Sequence, residues 1–196
     1  MSMLADYQIR RLATHKRMIE PFIDAGEYSR GLSAGLSSAG YDARLGPIFK
    51  EMRGGGRIDP LAGAPENAFT TWDLSGQHLY TDDPEPYTLL PGAFVLAHTV
   101  ETFKMPDDVT ADCTGKSTYA RCGITIFVTP LEPGWAGQLT LEIANLSPRP
   151  VLLHPGRGIA QLRFHRLDGR PDLTYADKGG KYQDQSGVTI ARGQEQ

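Results

Sequence analysis

Cysteine is almost absent: Cys113 and Cys122 are the two that the 196 residues contain. They allow one bridge at most, which excludes a disulfide scaffold and a cysteine-rich zinc site. Net charge is equally slight, with 20 Lys and Arg against 23 Asp and Glu, or −3. A chain held on nucleic acid by strong overall positive charge is therefore not expected. No apolar run approaches the roughly 18 residues of a membrane span. The opening Met-Ser-Met-Leu-Ala-Asp-Tyr lacks the basic-then-apolar layout of a signal peptide. The expectation is a cytoplasmic protein with reduced thiols and with neither nucleic-acid nor membrane partners. Several signatures of chemistry are missing as well. Gly115-Lys116-Ser117 echoes the end of a P-loop, but the glycine needed five positions earlier is Thr110. None of the five histidines is followed by x-Glu and no Pro-Cys-x-x-Cys occurs, so the zinc-deaminase pattern fails. No Gly-x-Ser-x-Gly elbow is present either.

Turn residues are plentiful by contrast. The 22 glycines and 14 prolines suit many short strands and lean towards an all-β fold in one domain. Helical spacing is confined to residues 1–20, through Leu4, Ile9, Leu12 and Met18, with Pro21 as the stop. Ser33 to Arg44 is small and polar and leads into a short strand over 43–50. Residues 51–86, with Gly54-Gly55-Gly56 and four prolines, read as a long connection with short strands and no functional reading. Beyond Pro86, β-branched and apolar runs at 87–90, 93–103, 124–129, 138–144, 151–153 and 159–167 alternate with turns, as a sandwich or barrel requires. Pro106-Asp107-Asp108 reads as a plain turn, and 117–121 as a short helical segment.

Three places carry chemistry. In Gln138-Leu-Thr-Leu-Glu-Ile-Ala-Asn145, strand alternation puts Leu139, Leu141 and Ile143 on one face and Thr140, Glu142 and Ala144 on the other. Glu142 is then either a solvated strand carboxylate or a cleft carboxylate with small neighbours that leave room for a ligand. Gly115-Lys-Ser-Thr-Tyr-Ala-Arg121 gathers a glycine, two hydroxyls and two cations. It reads as a capped turn, or as a holder of phosphate oxygens through Lys116, Ser117, Thr118 and backbone amides. Between Arg149 and Lys181, seven Lys and Arg face three Asp, which suits an anionic ligand or is a chance fluctuation.

In order along the chain, Ser37-Ser-Ala-Gly-Tyr-Asp-Ala-Arg-Leu45, Gly115-Lys-Ser-Thr-Tyr-Ala-Arg-Cys-Gly123, Val128-Thr-Pro-Leu-Glu-Pro-Gly-Trp-Ala-Gly137, Leu139-Thr-Leu-Glu142 and Gly180-Lys-Tyr-Gln-Asp-Gln185 resemble the dCTP deaminase family of the dUTPase-like superfamily. The likeness spans roughly residues 18–190. It implies a distorted β-barrel of jelly-roll type and a homotrimer with active sites between subunits. The activity implied is hydrolysis of dCTP to dUTP and ammonia without zinc, feeding dUMP and dTTP synthesis. Mg²⁺ rides on the substrate triphosphate, no protein side chain holds a metal, and dTTP is a candidate inhibitor.

Residue by residue, the resemblance makes Glu142 the proton donor and acceptor, with Arg121 and Ser117 positioning the attacking water and the base. Lys116 and Thr118 fall at phosphate-loop positions, and Tyr119, Ala120, Glu132, Thr140 and Leu141 at substrate-contacting ones. Gln161 matches a nucleotide-contacting glutamine of one branch, and Tyr175, Lys181 and Gln185 belong to a C-terminal segment, 170–196, that closes on the nucleotide. In the family, the 115–121 segment and Glu142 come from different subunits. On this reading Arg121 holds Glu142 ionised while burial pushes the other way. The stretch before Pro133-Gly-Trp is Thr129-Pro-Leu-Glu132, shorter than the widely seen Thr-Ala-His-Arg-Ile-Asp, and matches a branch with a Val-Thr-Pro-x-Glu-Pro loop. Glu132 stands where dUTPases place an Asp that activates water against the α-phosphate. A dUTP diphosphatase, or a bifunctional enzyme releasing dUMP and pyrophosphate, is therefore the alternative activity, and a non-catalytic nucleotide-binding regulator a third. Trp135 is either a stacking partner for the deoxyribose or a core residue.

Overall fold

The computed structural model describes residues 2–24, 27–29, 31–76 and 85–193. Strands dominate it, as expected, in two six-stranded sheets and a two-stranded ribbon. The first sheet runs β1 (Ser2–Met3), β14 (Gly158–Arg166), β5 (Gly40–Arg44), β4 (Leu32–Ser37) and β3 (Glu27–Ser29), with β10 (Val109–Gly115) also pairing on β14. The second runs β11 (Ile124–Phe127), β12 (Ala136–Asn145), β9 (Phe94–Lys104), β6 (Ile48–Met52) and β7 (Phe69–Asp73), with β2 (Ile19–Glu20) on β9. β8 (Tyr87–Leu89) and β13 (Val151–Leu153) form the ribbon. A single continuous core joins both sheets, filled by Tyr41, Phe49, Phe103, Leu141, Ile143 and Phe164, all fully buried.

The six strands read from the sequence beyond Pro86 all form, each within about two residues of its expected ends. Two other readings need correction. The N-terminal helix, α1, covers only Asp6–Lys16. Arg17 takes a left-handed conformation, φ 54°, and ends it four residues before Pro21. Leu4 and Met18 are buried outside the helix, and Ile19–Glu20 pair with β9 instead. The small polar run 33–44 is a hairpin, β4–β5, turning at Ser38-Ala39. The expected strand over 43–50 splits, because Leu45 bridges to Thr99 and Pro47 has no N–H to offer a ladder.

A further strand, β10, escaped the sequence reading. Its alternation is regular, with Val109, Ala111 and Cys113 buried, but Thr110, Asp112 and Thr114 make half of it polar. Residues 51–86 hold the end of β6, a 3-10 turn at Glu66–Ala68 and β7, while 77–84 lie outside the described residues. α2 (Ser117–Arg121) follows β10 directly. No described helix is long and apolar enough to cross a membrane.

Candidate active site

β12 is the longest strand of the second sheet after β9, and its side chains alternate without a break between half-buried and buried. Leu139, Leu141 and Ile143 are buried, and Thr140, Glu142 and Ala144 are half-buried on the opposite face. The alternation expected from the sequence is therefore present. It also turns the Leu141 side chain away from any ligand, so that only its backbone is left for contact. Glu142 pairs across the sheet with Leu96 on β9 and Phe127 on β11, apolar on both sides. Burial pushes its carboxyl up to about 7, against a smaller downward pull from its own backbone N–H. Within one chain Arg121 is not among the groups that shift Glu142. The two groups are set on different elements, and no contact joins them.

Glu142 and Thr140 lie in the wall of a cavity of about 740 Å³. Phe94 and Leu96 of β9 continue the wall, and Val128 to Glu132 and Trp135 form one rim. The other rim comes from two segments far apart in sequence: Met52, Ile58, Ala64 and Phe69, and the tail with Tyr175, Tyr182, Gln185 and Thr189 to Ala191. The mix of an apolar wall and a few convergent polar groups is what a small-molecule site offers.

The tail is sewn to β12 by hydrogen bonds. Tyr175 N–H donates to the Pro133 carbonyl at 2.9 Å, and its own hydroxyl accepts from Tyr182 N–H at 2.9 Å. Trp135 Nε1–H donates to the Tyr182 carbonyl at 3.0 Å. Gln138 and Gln185 exchange two bonds, Gln138 N–H to the Gln185 carbonyl at 2.9 Å and Gln185 Nε2 to the Gln138 carbonyl at 2.7 Å. Gly137 makes the close approach possible, since a Cβ there would meet the Gln185 backbone at 2.8 Å. Further on, Thr189 N–H donates to Thr140 Oγ1 at 3.3 Å and Ala64 N–H to the Ala191 carbonyl at 2.8 Å. The long connection without a sequence reading thus supplies the edge on which the tail ends. Nothing in its composition signalled that, because the pairing of Gly63 with Arg192 is set by tertiary approach.

Of the residues singled out in the sequence, Glu142, Thr140, Glu132, Tyr175 and Gln185 line the cavity. Trp135 does so too, while belonging to the core at 6% exposure. Glu132 is exposed, with Lys178 Nζ 3.9 Å from its carboxylate. Lys181 is exposed and off the cavity, its ammonium 5.9 Å from the centre of the Tyr182 ring.

The 115–121 segment and Gln161 do not line the cavity. Ser117, Thr118, Ala120 and Arg121 are exposed, and among the described residues Ser117, Thr118 and Arg121 have no side-chain hydrogen bond. Tyr119 is a core residue whose hydroxyl accepts from His154 N–H at 3.3 Å. Lys116 and Gln161 turn instead to Asp42 on β5, at 2.5 Å and 3.3 Å. Burial first and the Glu142 charge second push the thiol of Cys113, on β10, up to about 12, which disfavours its thiolate. Among the described residues no three His, Cys, Asp or Glu side chains gather where they could hold a metal ion.

A protein of Erythrobacter litoralis (strain HTCC2594) named dCTP deaminase is 44% identical over 192 residues, 98% of this chain and all of that one. One from Campylobacter jejuni (strain RM1221), of the same name, is 45% identical over 195 residues, 98% of each. The crystal structure of 2′-deoxycytidine 5′-triphosphate deaminase from Agrobacterium tumefaciens shares the fold, with a TM-score of 0.63 at 23% identity over 84% of this chain. The present chain spans about half the length of that one, 47% of it being covered. A family model described as dCTP deaminase-like matches residues 3–167. On that match, and on full-length relatives above 40% identity, the chain belongs to the dCTP deaminase-like family.

Proposed function

We propose that this protein hydrolyses dCTP to dUTP and ammonia. The observation that carries the reading is Glu142: a half-buried carboxyl in the wall of a nucleotide-sized cavity, with its pKa pushed up to about 7. A group titrating there is able both to take and to return a proton at neutral pH. The reaction needs both. Glu142 removes a proton from water as the oxygen bonds to C4 of the cytosine, and hands it to N3. The resulting tetrahedral carbon then collapses: the C4–N4 bond breaks, the amine takes the proton that the new hydroxyl gives up through Glu142, and ammonia leaves. Water, with a pKa near 15.7 when no metal binds it, gives up its proton only as the new bond forms. A base already in place is therefore the main requirement.

The second half of the site, Ser117 and Arg121, is assigned to a neighbouring subunit of a homotrimer. Both are exposed and without side-chain hydrogen bonds in the single chain, as groups awaiting a ligand or a partner would be. Ser117 orients the water, and Arg121 faces Glu142 across the interface and favours its ionised form. The triphosphate arrives as its Mg²⁺ complex and meets Thr118 and the tail, where Tyr175, Lys181 and Gln185 close over it. Gln161 is assigned a nucleotide contact from the partner's side, and dTTP is assigned the same site as an inhibitor.

Incubating the purified protein with dCTP and Mg²⁺, and assaying nucleotides, ammonia and pyrophosphate together, tests the reading. Ammonia with dUTP is the expected outcome, slowed by added dTTP. Pyrophosphate with dUMP would instead put Glu132 to work on the α-phosphate.

A further inference from the structure

Beside the cavity, β9 and β12 fall out of step. Gln138 pairs with Thr102 and Thr140 with His98, so that Leu139 alone stands opposite Thr99, Val100 and Glu101 and β9 bulges. A bulge leaves ladder groups without their usual partners, and a buried carbonyl without one is costly. The side chain of Gln138 fills the gap. Its Nε2 amine donates to the Thr99 carbonyl at 2.9 Å and to the Val100 carbonyl at 3.3 Å, which uses both donors of the amide. His98 Nδ1–H donates to the same Thr99 carbonyl at 2.9 Å, and Leu139 N–H to the Thr99 hydroxyl at 3.0 Å.

The other end of this amide reaches the tail. Gln138 Oε1 accepts from Gly187 N–H at 2.7 Å and from the Ser186 hydroxyl at 3.5 Å. Together with the two bonds between the Gln138 main chain and Gln185, every polar atom of residue 138 is engaged, and four of them face the tail or the bulge. The main-chain pair grips the tail at one point, about which it could still pivot. The side chain adds a second point, and beyond it Thr189 N–H reaches Thr140 Oγ1 at 3.3 Å, two residues from Glu142. No reading of the sequence singled out residue 138, because a glutamine on the polar face of a strand has no local mark of such a role.

We infer that Gln138 is a positioning residue for the tail: its side-chain amide splices the β9 bulge to Ser186-Gly187 and so holds Gln185 and Thr189 against the strand that carries Glu142. The inference rests on the deaminase reading for what the tail closes upon. A link of this kind needs a donor at one end and an acceptor at the other, both at the reach of a glutamine side chain.

Gln138→Glu tests the donor end. It keeps the length and an acceptor for Gly187 N–H, but turns an oxygen towards two carbonyls. Ionised, the introduced carboxyl is repelled by them; protonated, it donates to one again. At about pH 8 the KM for dCTP should be raised about 10-fold over wild type, the equivalent of two ordinary hydrogen bonds, with kcat kept within roughly 3-fold. The ratio of variant to wild-type KM should fall towards one as the pH is lowered to about 5, where the carboxyl regains its proton. Amide hydrogen exchange in nucleotide-free protein gives a readout apart from turnover. At about pH 8 exchange over 185–191 should quicken, with β9 and β12 protected as in wild type. Gln138→Met, neutral and of similar length, lacks both ends; it serves should Gln138→Glu not fold, with the same exchange pattern and a KM ratio that acid does not restore. Unchanged exchange over 185–191 in a folded variant overturns the inference. So does faster exchange confined to β9 and β12, which would make the amide a repair of the bulge alone, or a KM ratio for Gln138→Glu that is flat with pH. A wild-type protein that leaves dCTP untouched refutes the deaminase reading alone, and the exchange pattern still decides what Gln138 holds.

Discussion

The two halves of the proposed site are built in opposite ways. Around Glu142 the chain encloses its own chemistry: two sheet neighbours, Leu96 and Phe127, are apolar, and a tail bonded along β12 walls off the cavity. Around Ser117 and Arg121 it does the reverse: Lys116 is bonded to Ile159, Asp42 and Ser33, and the Ser117 and Arg121 side chains stand in solvent. The Glu142 carboxyl acquires its raised pKa by losing water, and here its own chain supplies the wrapping. A water-orienting hydroxyl and a guanidinium need no such shielding until they meet the substrate. The difference teaches that the acid–base half is complete in the single folded chain, while Ser117 and Arg121 stand open, as the proposed assembly requires.

The largest effect expected is from removing the finished half. Glu142→Gln should lower kcat by about 10²–10⁴ while dCTP binding, followed by calorimetry, persists. Turnover near that of the wild type would sink the role given to Glu142. Next comes a mixing experiment that strikes at the division between subunits. Glu142→Gln and Arg121→Gln should each be nearly inactive alone. Dissociated and reassembled together, they should recover activity at about one quarter of the sites, since each half is intact in one subunit of two when a site lies between neighbours. Recovery of nothing, from two variants that each keep the wild-type oligomeric state, would mean that both halves come from one chain.

Glu142 also gives the pH dependence its sign. Its folded pKa of about 7 lies above the ordinary 4.5, so the fold binds this proton more tightly than the unfolded chain does. The associated stability is complete below pH 4.5 and is lost as pH rises through 7. Glu142→Gln should therefore match the wild type near pH 4 and exceed it at pH 8, by on the order of 1–2 kcal/mol once residual solvent screening is allowed for, in denaturant unfolding of the nucleotide-free protein. Catalysis runs the other way, because the base must be ionised. On the proposed assembly, in which an Arg121 from a neighbouring subunit favours the charged form, a plot of log kcat/KM should rise with pH and level off below 7. An inflection at or above 7 would show that no cation reaches Glu142 across the interface.

How much of this was legible beforehand follows the same division. The alternation of β12 fixed which way Glu142 points, because a buried strand face leaves no freedom about its opposite face. The resemblance named the 115–121 segment but not the bond from Lys116 to Ser33, since the two are 83 residues apart and nothing local marks them as neighbours. The hairpin at 33–44 went unread for a related reason. Its Ser, Gly and Ala residues carry no strand propensity, and what makes it pair is the close approach of β14. Likewise Ile58 and Ala64 sit in a Gly- and Pro-rich stretch whose place on the cavity rim comes from contact with 191–193.

The smallest effect expected tests whether the wrapped half owes its closure to the tail. Trp135 is buried, and its indole N–H reaches the Tyr182 carbonyl at 3.0 Å. Trp135→Phe keeps most of the apolar contact and removes the donor, leaving a carbonyl without its partner at the edge of the cavity. A neutral hydrogen bond contributes about 0.5–1.5 kcal/mol, which corresponds to a change of roughly 2- to 12-fold in an equilibrium between closed and open tail. If closure of the tail helps to retain the nucleotide, KM for dCTP should rise by a factor in that range while kcat stays nearly constant, and exchange of the Tyr182 to Gly187 amides should quicken. A fall in kcat with KM unchanged would point elsewhere: the indole would then be steadying β12 and the Glu142 carboxyl, and the tail would be held by the Gln138–Gln185 pair without it.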